Sequence, residues 1–111
     1  MTRPTPDDIL ACVNGHFGVE RGELIGRRRE RYYSHPRQVA MYLCREVAGM
    51  SYPAIAAFFD GRDHTTVIYA VRCVAESRIK AKAVDELLTH MTESLQQPAA
   101  QSLGGVGSRR G

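Results

Sequence analysis

Apolar residues recur at helical spacing along almost the whole chain, and this pattern limits the fold more than any other feature. The clearest stripe consists of Ala40, Leu43, Cys44 and Val47, at the i, i+3, i+4, i+7 spacing of an amphipathic helix. No segment shows the sustained alternation of a half-buried strand. With 111 residues, the chain has room for one domain with one modest core. The sequence therefore predicts an all-α, compact bundle of about five to six helices.

Proline, glycine and capping residues indicate where the helices begin and end. Pro36 suits a first helical position, so we predict that it opens the helix with the stripe and that residues 26–34 form a loop. Ser51 is placed to cap a short helix of residues 51–59. A three-residue turn with a glycine separates this helix from one of residues 63–78. The pair has the proportions of a helix-turn-helix, although many helical bundles contain similar pairs.

The end of the chain does not continue the helical pattern. Residues 96–111, QQPAAQSLGGVGSRRG, have no apolar periodicity and have the composition of a disordered segment. The sequence thus predicts one folded domain, residues 1–95, followed by a disordered tail.

Charge and cysteine content indicate what kind of partner the protein binds and in which cellular compartment it is found. The formal net charge is +3, and six arginines lie between Arg27 and Arg45 with Glu30 as the only acid. This cluster favours a polyanionic partner. Three widely spaced cysteines without a CxxC pair or a secretory signal indicate free thiols in a reducing cytoplasm. No apolar run has the length of a membrane span. We expect a cytoplasmic protein with no membrane partner and no small-molecule substrate.

The stretch GRDHTTVIYA, residues 61–70, places polar residues where the second helix of the pair begins. In a helix-turn-helix, this end of the second helix faces base edges in the major groove. Carboxylate, imidazole, hydroxyl and methyl groups can all contact base edges there. The candidates are Asp63, His64, Thr65, Thr66 and Ala70. The competing interpretation is an ordinary solvated helix start in which Asp63 is only the cap.

Catalysis and metal binding also use such residues. An Asp63–His64 dyad lacks a nucleophile, and adjacent helical residues point in different directions. Cys12 and His16 share a helical face, but two ligands do not make a structural zinc site. The chain is therefore expected not to be an enzyme and to need no metal and no cofactor.

The stretch HPRQVAMYLCREVAGMSYPAIAAFFDGRDHTTVIYAVRCV resembles the C-terminal DNA-binding domain of the bacterial replication initiator DnaA. Its most specific parts are PRQ at 36–38, S-x-P-x-I at 51–55 and GRDHTTV at 61–67, and the similarity runs from about Asp7 to about Leu95. The resemblance implies a Trp-repressor-like helix-turn-helix fold. It also implies binding to a nine-base-pair DnaA box, with the recognition helix in the major groove and an arginine of the basic loop in the minor groove.

Position by position, the resemblance implies two sets of DNA contacts. Bases would be contacted by Arg29 in the minor groove and, in the major groove, by Pro53, Asp63, His64, Thr65, Thr66 and Ala70. Phosphates would be contacted by Arg27, Arg37, Gln38, Arg45, Tyr52, Arg62 and Arg72. Three residues depart from the family pattern: Asp60 for a glycine, Tyr69 for a histidine and Cys73 for a lysine. Cys73, in place of the lysine, removes one positive charge.

The chain has no GxxxxGK[ST] motif and is too short for the initiator's ATPase domain. We therefore expect a stand-alone protein at the nucleoid. It would bind DnaA-box-like double-stranded DNA and regulate replication initiation or transcription without ATPase activity. The alternative is a protein-interaction module that binds the initiator or its regulatory partner by mimicking the initiator's DNA-binding domain. Met1 and the lack of a preceding linker helix favour a self-standing protein over a fragment.

Overall fold

Six α-helices make up the part of the chain that the structure describes. This computed structural model describes residues 3–26 and 31–96, with the backbone alone for 31–34. The helices are α1 (Pro6–Phe17), α2 (Arg21–Ile25), α3 (Arg31–Glu46), α4 (Tyr52–Phe58), α5 (His64–Lys80) and α6 (Lys82–Gln96). The predicted all-α fold is confirmed. The proposed tail beyond Gln96 and the arginines of 27–30 lie outside the described residues.

Helix α3 forms the centre of the bundle. Its predicted stripe is buried, and α1, α2, α4 and α5 all pack against it, while α6 packs against α5 and α1. The largest fully buried side chain among the described residues is Phe59, which directly follows α4. Burial of each such apolar side chain contributes about 1.5–3 kcal/mol, so this shared core fixes the relative positions of α4 and α5.

The start of α3 differs from the prediction. The helix begins at Arg31, so Pro36 lies inside it rather than at its first position. Proline lacks the N–H that would donate to the carbonyl four residues earlier, and its ring crowds that carbonyl, so this position carries a local cost in helix stability. The predicted stripe begins only at Ala40, nine residues after Arg31, so its periodicity could not locate the first turn. The predicted loop of residues 26–34 is therefore too long at its C-terminal end.

A left-handed turn joins the two helices of the helix-turn-helix. Ser51 caps α4 as predicted, since its Oγ accepts from the Ala54 N–H at 3.2 Å. After α4, Asp60 and Gly61 have φ values of 66° and 67°. The Arg62 N–H then donates to the Ala56 carbonyl at 2.9 Å, which closes the turn. Glycine adopts this conformation freely, whereas aspartate is one of the few other residues that tolerate it.

The cysteines occupy different environments within the bundle. Cys44 is buried in the core, and this burial raises the pKa of its thiol to about 12. Cys12 and Cys73 are half-buried, and none of the three is in a disulfide. Among the described residues, no three metal-binding side chains come together as a metal site. None of the described helices combines the length and the apolar character needed to cross a bilayer.

Candidate nucleic-acid interface

The N-terminal end of α5 presents a row of exposed polar side chains. Asp63 is the N-cap, as predicted, and its Oδ1 accepts from the Thr65 N–H at 3.1 Å. His64, Thr65 and Thr66 follow it, and all four side chains are exposed. The cap uses one carboxylate oxygen of Asp63, so the other can still accept a hydrogen bond from a ligand. The arrangement presents donors, acceptors and methyl groups together at a helix N-terminus.

Ala70 is not part of this exposed row. Its side chain is only 3% exposed and packs in the core with Val67, Val71 and Val74. Its small size lets α5 lie close to the other helices, so Ala70 faces the core and not the exposed row. The predicted base contact of Ala70 is therefore not available without a change in packing.

Tyr69 occupies the exposed face one turn beyond Thr65 and is 63% exposed. The Cys73 side chain, chiefly through a hydrogen bond, raises the pKa of the Tyr69 hydroxyl. Sequence reasoning noted Tyr69 only as a departure from the family pattern. Tyr69 follows Thr65 by four residues, and on a helix this spacing places two side chains on the same face. The spacing could therefore have predicted that Tyr69 lies beside the candidate base contacts.

The start of α4 brings three of the predicted contacts into one neighbourhood. Pro53 is exposed in the first turn, and Tyr52 is half-buried beside it. The Arg45 guanidinium lies over the Tyr52 ring, 4.4 Å from its centroid, and Nη1 donates to the Met50 carbonyl at 3.1 Å. Arg45 thus fixes the connection between α3 and α4 while its remaining N–H groups can meet an anion.

Arg37 does not lie at the surface, contrary to its predicted role as a phosphate contact. It is 7% exposed, and its Nε and Nη2 donate to the carbonyls of Leu24 and Glu23, both at 2.7 Å. Burial, and secondarily the charge of Arg62, lower the pKa of the Arg37 guanidinium. So little of the guanidinium reaches the surface that a phosphate has no open approach to it. Arg37 therefore holds the C-terminal end of α2 against α3.

The other predicted phosphate contacts differ in exposure. Arg72 is exposed on α5, and Gln38 is half-buried on α3. Arg62 is half-buried in the turn before α5, and its Nη2 donates to the Gly26 carbonyl. Arg27 and Arg29, the latter predicted to enter the minor groove, lie outside the described residues.

The helical architecture agrees with the comparison to known proteins. Residues 6–74 match the family model described as bacterial DnaA protein helix-turn-helix. The chain belongs to this DnaA family. The chromosomal replication initiator protein DnaA of Corynebacterium jeikeium is 38% identical to it over 94 residues, 85% of this chain and 16% of the relative. DnaA of Caulobacter vibrioides is 43% identical over 94 residues, 84% of this chain and 18% of the relative.

Solved structures of DnaA type share the fold. A crystal structure of a DNA replication initiation factor superposes with a TM-score of 0.73 at 31% identity, covering 81% of this chain and 27% of that one. AMPPCP-bound DnaA from Aquifex aeolicus gives a TM-score of 0.65 at 31% identity, covering 80% of this chain and 27% of that one. The chain thus spans less than a third of these proteins, and it corresponds to the helix-turn-helix part of DnaA.

Proposed function

We propose that this protein binds double-stranded DNA at DnaA-box-like sites through the N-terminal end of α5. The observation that supports this most is the exposed row of Asp63, His64, Thr65 and Thr66 at the start of the second helix of a DnaA-type helix-turn-helix. A helix N-terminus also favours a nearby phosphate, because its free N–H groups and its dipole are positive. In this proposal, α5 lies in the major groove and α4 crosses the backbone.

Each exposed side chain has a matching group on DNA. Asp63 can accept from a cytosine amino group, and His64 can donate to or accept from a base edge. Thr65 and Thr66 provide hydroxyls, and their methyls, like the ring of Pro53, can contact thymine methyls. Arg29 is proposed for the minor groove, where a guanidinium is attracted by the concentrated negative potential.

Phosphates position the domain without specifying sequence. The described residues proposed for this role are Arg45, Arg72, Gln38 and Tyr52, and Arg27 is proposed from the sequence. Of the two described arginines in this set, Arg72 is the more accessible, because it is exposed on α5 whereas Arg45 is half-buried. These contacts account for a salt-dependent, non-specific part of the affinity.

The proposed role is regulation of replication initiation or transcription, by occupying initiator sites at the nucleoid in the cytoplasm. We assign this binding to residues 1–95, with residues 96–111 as a tail. DNA binding of this kind involves no ATPase chemistry, no cofactor and no catalytic residue. The family model that matches this chain describes a helix-turn-helix, which is a DNA-binding motif, and not an ATPase domain.

A competition assay with a DnaA-box duplex and a scrambled duplex tests this function. The protein is expected to prefer the box, because each correctly matched base pair contributes about 1–3 kcal/mol to discrimination. The titrations are made near physiological salt, where non-specific binding is weak. Equal affinity for both duplexes would contradict the proposed function.

A protein-interaction module is the second candidate function. It is favoured by two exposed apolar side chains on α5, Tyr69 at 63% and Ile79 at 86% exposure, which a DNA backbone does not require. The partner would be the initiator or a protein that recognises its DNA-binding domain. Equal affinity for the two duplexes, together with saturable binding to purified initiator, would favour this candidate over the first.

Two departures from the DnaA family pattern yield a prediction about electrostatics. Replacing Asp60 by Gly and Cys73 by Lys together is expected to tighten binding to box and scrambled duplexes alike. A carboxylate repels phosphates, and a new lysine that meets a phosphate should steepen the slope of log K against log salt by about 0.9. The fold should tolerate both changes, since Asp60 has a φ of 66° that suits glycine and Cys73 is half-buried on a helix.

Titration of the wild type and the double variant at two salt concentrations measures this effect. The gain in affinity should shrink as salt rises, because it is electrostatic. An unchanged affinity at low salt would mean that both positions face away from DNA, where they would be free to contact a protein partner.

A further inference from the structure

The turn before α5 is tied to the C-terminal end of α2 through Arg62. The Arg62 Nη2 donates to the carbonyl of Gly26, a residue 36 positions earlier in the chain. The Gly26 N–H donates back to the Gly22 carbonyl at 2.9 Å, which closes the last turn of α2. At its other end, the Arg62 backbone N–H is fixed to the Ala56 carbonyl of α4. Arg62 therefore connects α2 to the helix-turn-helix.

Arg37 holds the same segment from α3. Its two hydrogen bonds, to the Leu24 and Glu23 carbonyls, lie next to the bond from Arg62 to the Gly26 carbonyl. The last carbonyls of a helix have no intrahelical donor, so side-chain donors can satisfy them. Guanidinium groups suit this role, because they present several N–H donors in one plane.

The two guanidinium groups lie close to one another. The charge of Arg62 contributes to the lowered pKa of Arg37, after the larger effect of burial. Like charges repel, and carbonyl oxygens at the end of α2 accept hydrogen bonds from both guanidinium groups. Both arginines therefore hold one piece of backbone, residues 23–26.

We propose that Arg62 is a positioning residue that couples the recognition helix α5 to the backbone at Gly26, rather than a phosphate contact. The inference rests on the proposed DNA-binding function. Arg62 directly precedes Asp63, the first residue of the exposed row, and Gly26 directly precedes the arginines of 27–30. The bond therefore sets the spacing between the α5 row and the point where the arginine-rich sequence begins.

Salt dependence distinguishes a positioning residue from a phosphate contact. Arg62→Ala is expected to weaken binding to the box by about tenfold, the size of one lost charge-assisted hydrogen bond. Its slope of log K against log salt should equal that of the wild type, and its affinity for the scrambled duplex should not change. Arg72→Ala is the matched control, because it removes an exposed arginine from α5. It should weaken both duplexes and lower the slope by about 0.9.

Amide hydrogen exchange in the free protein tests the same bond without DNA. In Arg62→Ala, the Gly26 amide should exchange about tenfold faster than in the wild type, because the end of α2 opens more often. In Arg72→Ala it should exchange at the wild-type rate. All variants are compared well below their melting temperatures, where local opening of α2 is far more frequent than global unfolding.

The outcomes separate the failure of the inference from the failure of the proposed function. Loss of box preference in Arg62→Ala, with an unchanged slope and faster Gly26 exchange, supports the inference. A slope lowered by about 0.9, or an unchanged Gly26 exchange rate, overturns it, whichever duplex is used. A wild type that binds both duplexes equally contradicts the proposed function, while the slope and the exchange rate still decide the role of Arg62.

Discussion

Replacing Arg37 by alanine is expected to lower the free energy of unfolding by about 3 kcal/mol or more. The substitution removes one buried and one partly buried charge-assisted hydrogen bond, each worth about 1.5–3 kcal/mol, and leaves the Leu24 and Glu23 carbonyls without these donors. Domains of this size have a total stability of about 5–15 kcal/mol, so the loss is a large fraction of it. The variant should therefore unfold at a much lower urea concentration than the wild type.

Urea denaturation of three variants makes this prediction specific. Arg72→Ala, which removes an exposed arginine, should change the free energy of unfolding by no more than about 0.5 kcal/mol. Arg37→Lys should fall between the wild type and Arg37→Ala, because a lysine ammonium cannot reproduce the planar pair of donors. The contrary result would be an Arg37→Ala variant that unfolds at the wild-type urea midpoint and has a lower slope of log K against log salt. Arg37 would then be a phosphate contact, as the resemblance implies.

The roles of the arginines show where sequence reasoning reaches its limit. An arginine that binds backbone carbonyls and an arginine that binds phosphates use the same N–H donors. Arg37, Arg62 and Arg72 are therefore equivalent in the sequence, although one is buried, one is half-buried and one is exposed. For Arg37, the packing of α2 against α3 decides between the two roles. The hydrogen bond that results joins Arg37 to Leu24, 13 positions earlier in the chain.

Local features were predictable because their causes are local. The caps at Ser51 and Asp63 involve side chains and N–H groups two or three residues apart, and both are present. The buried stripe of α3 follows from its period. The first turn of α3 before Pro36 and the burial of Ala70 were not predictable in this way. The first precedes any buried residue of the stripe, and the second depends on how closely α5 approaches its neighbours.

Asp60 shows how the structure explains a family preference. The DnaA pattern usually has a glycine there, and the φ of 66° is a conformation that glycine adopts without steric cost. In the sequence, Asp60 is only a departure from the family pattern. In the structure, the same residue also adopts a backbone conformation that disfavours most side chains.

Single alanine substitutions at His64 and Thr65 are expected to reduce the preference for the DnaA box over a scrambled duplex. Each should cost about 1–3 kcal/mol of discrimination, because a base-edge contact is lost while phosphate contacts remain. Both side chains are exposed, so the fold should be retained. Thr65→Ala also keeps the backbone N–H that donates to Asp63 Oδ1, so the cap of α5 survives. Asp63→Ala is a poorer test, because it also removes a cap worth about 0.5–2 kcal/mol.

Competition titrations of both variants with both duplexes measure this preference, with Arg72→Ala as the control. Arg72→Ala should weaken binding to the two duplexes by the same factor, since a phosphate contact does not distinguish sequences. His64→Ala and Thr65→Ala should weaken binding to the box and leave the scrambled duplex nearly unchanged. If His64→Ala kept the full preference for the box, the N-terminal end of α5 would not be the base-reading surface. The exposed row would then be a solvated helix start, and the exposed side chains further along α5 would become the surface to test against purified initiator.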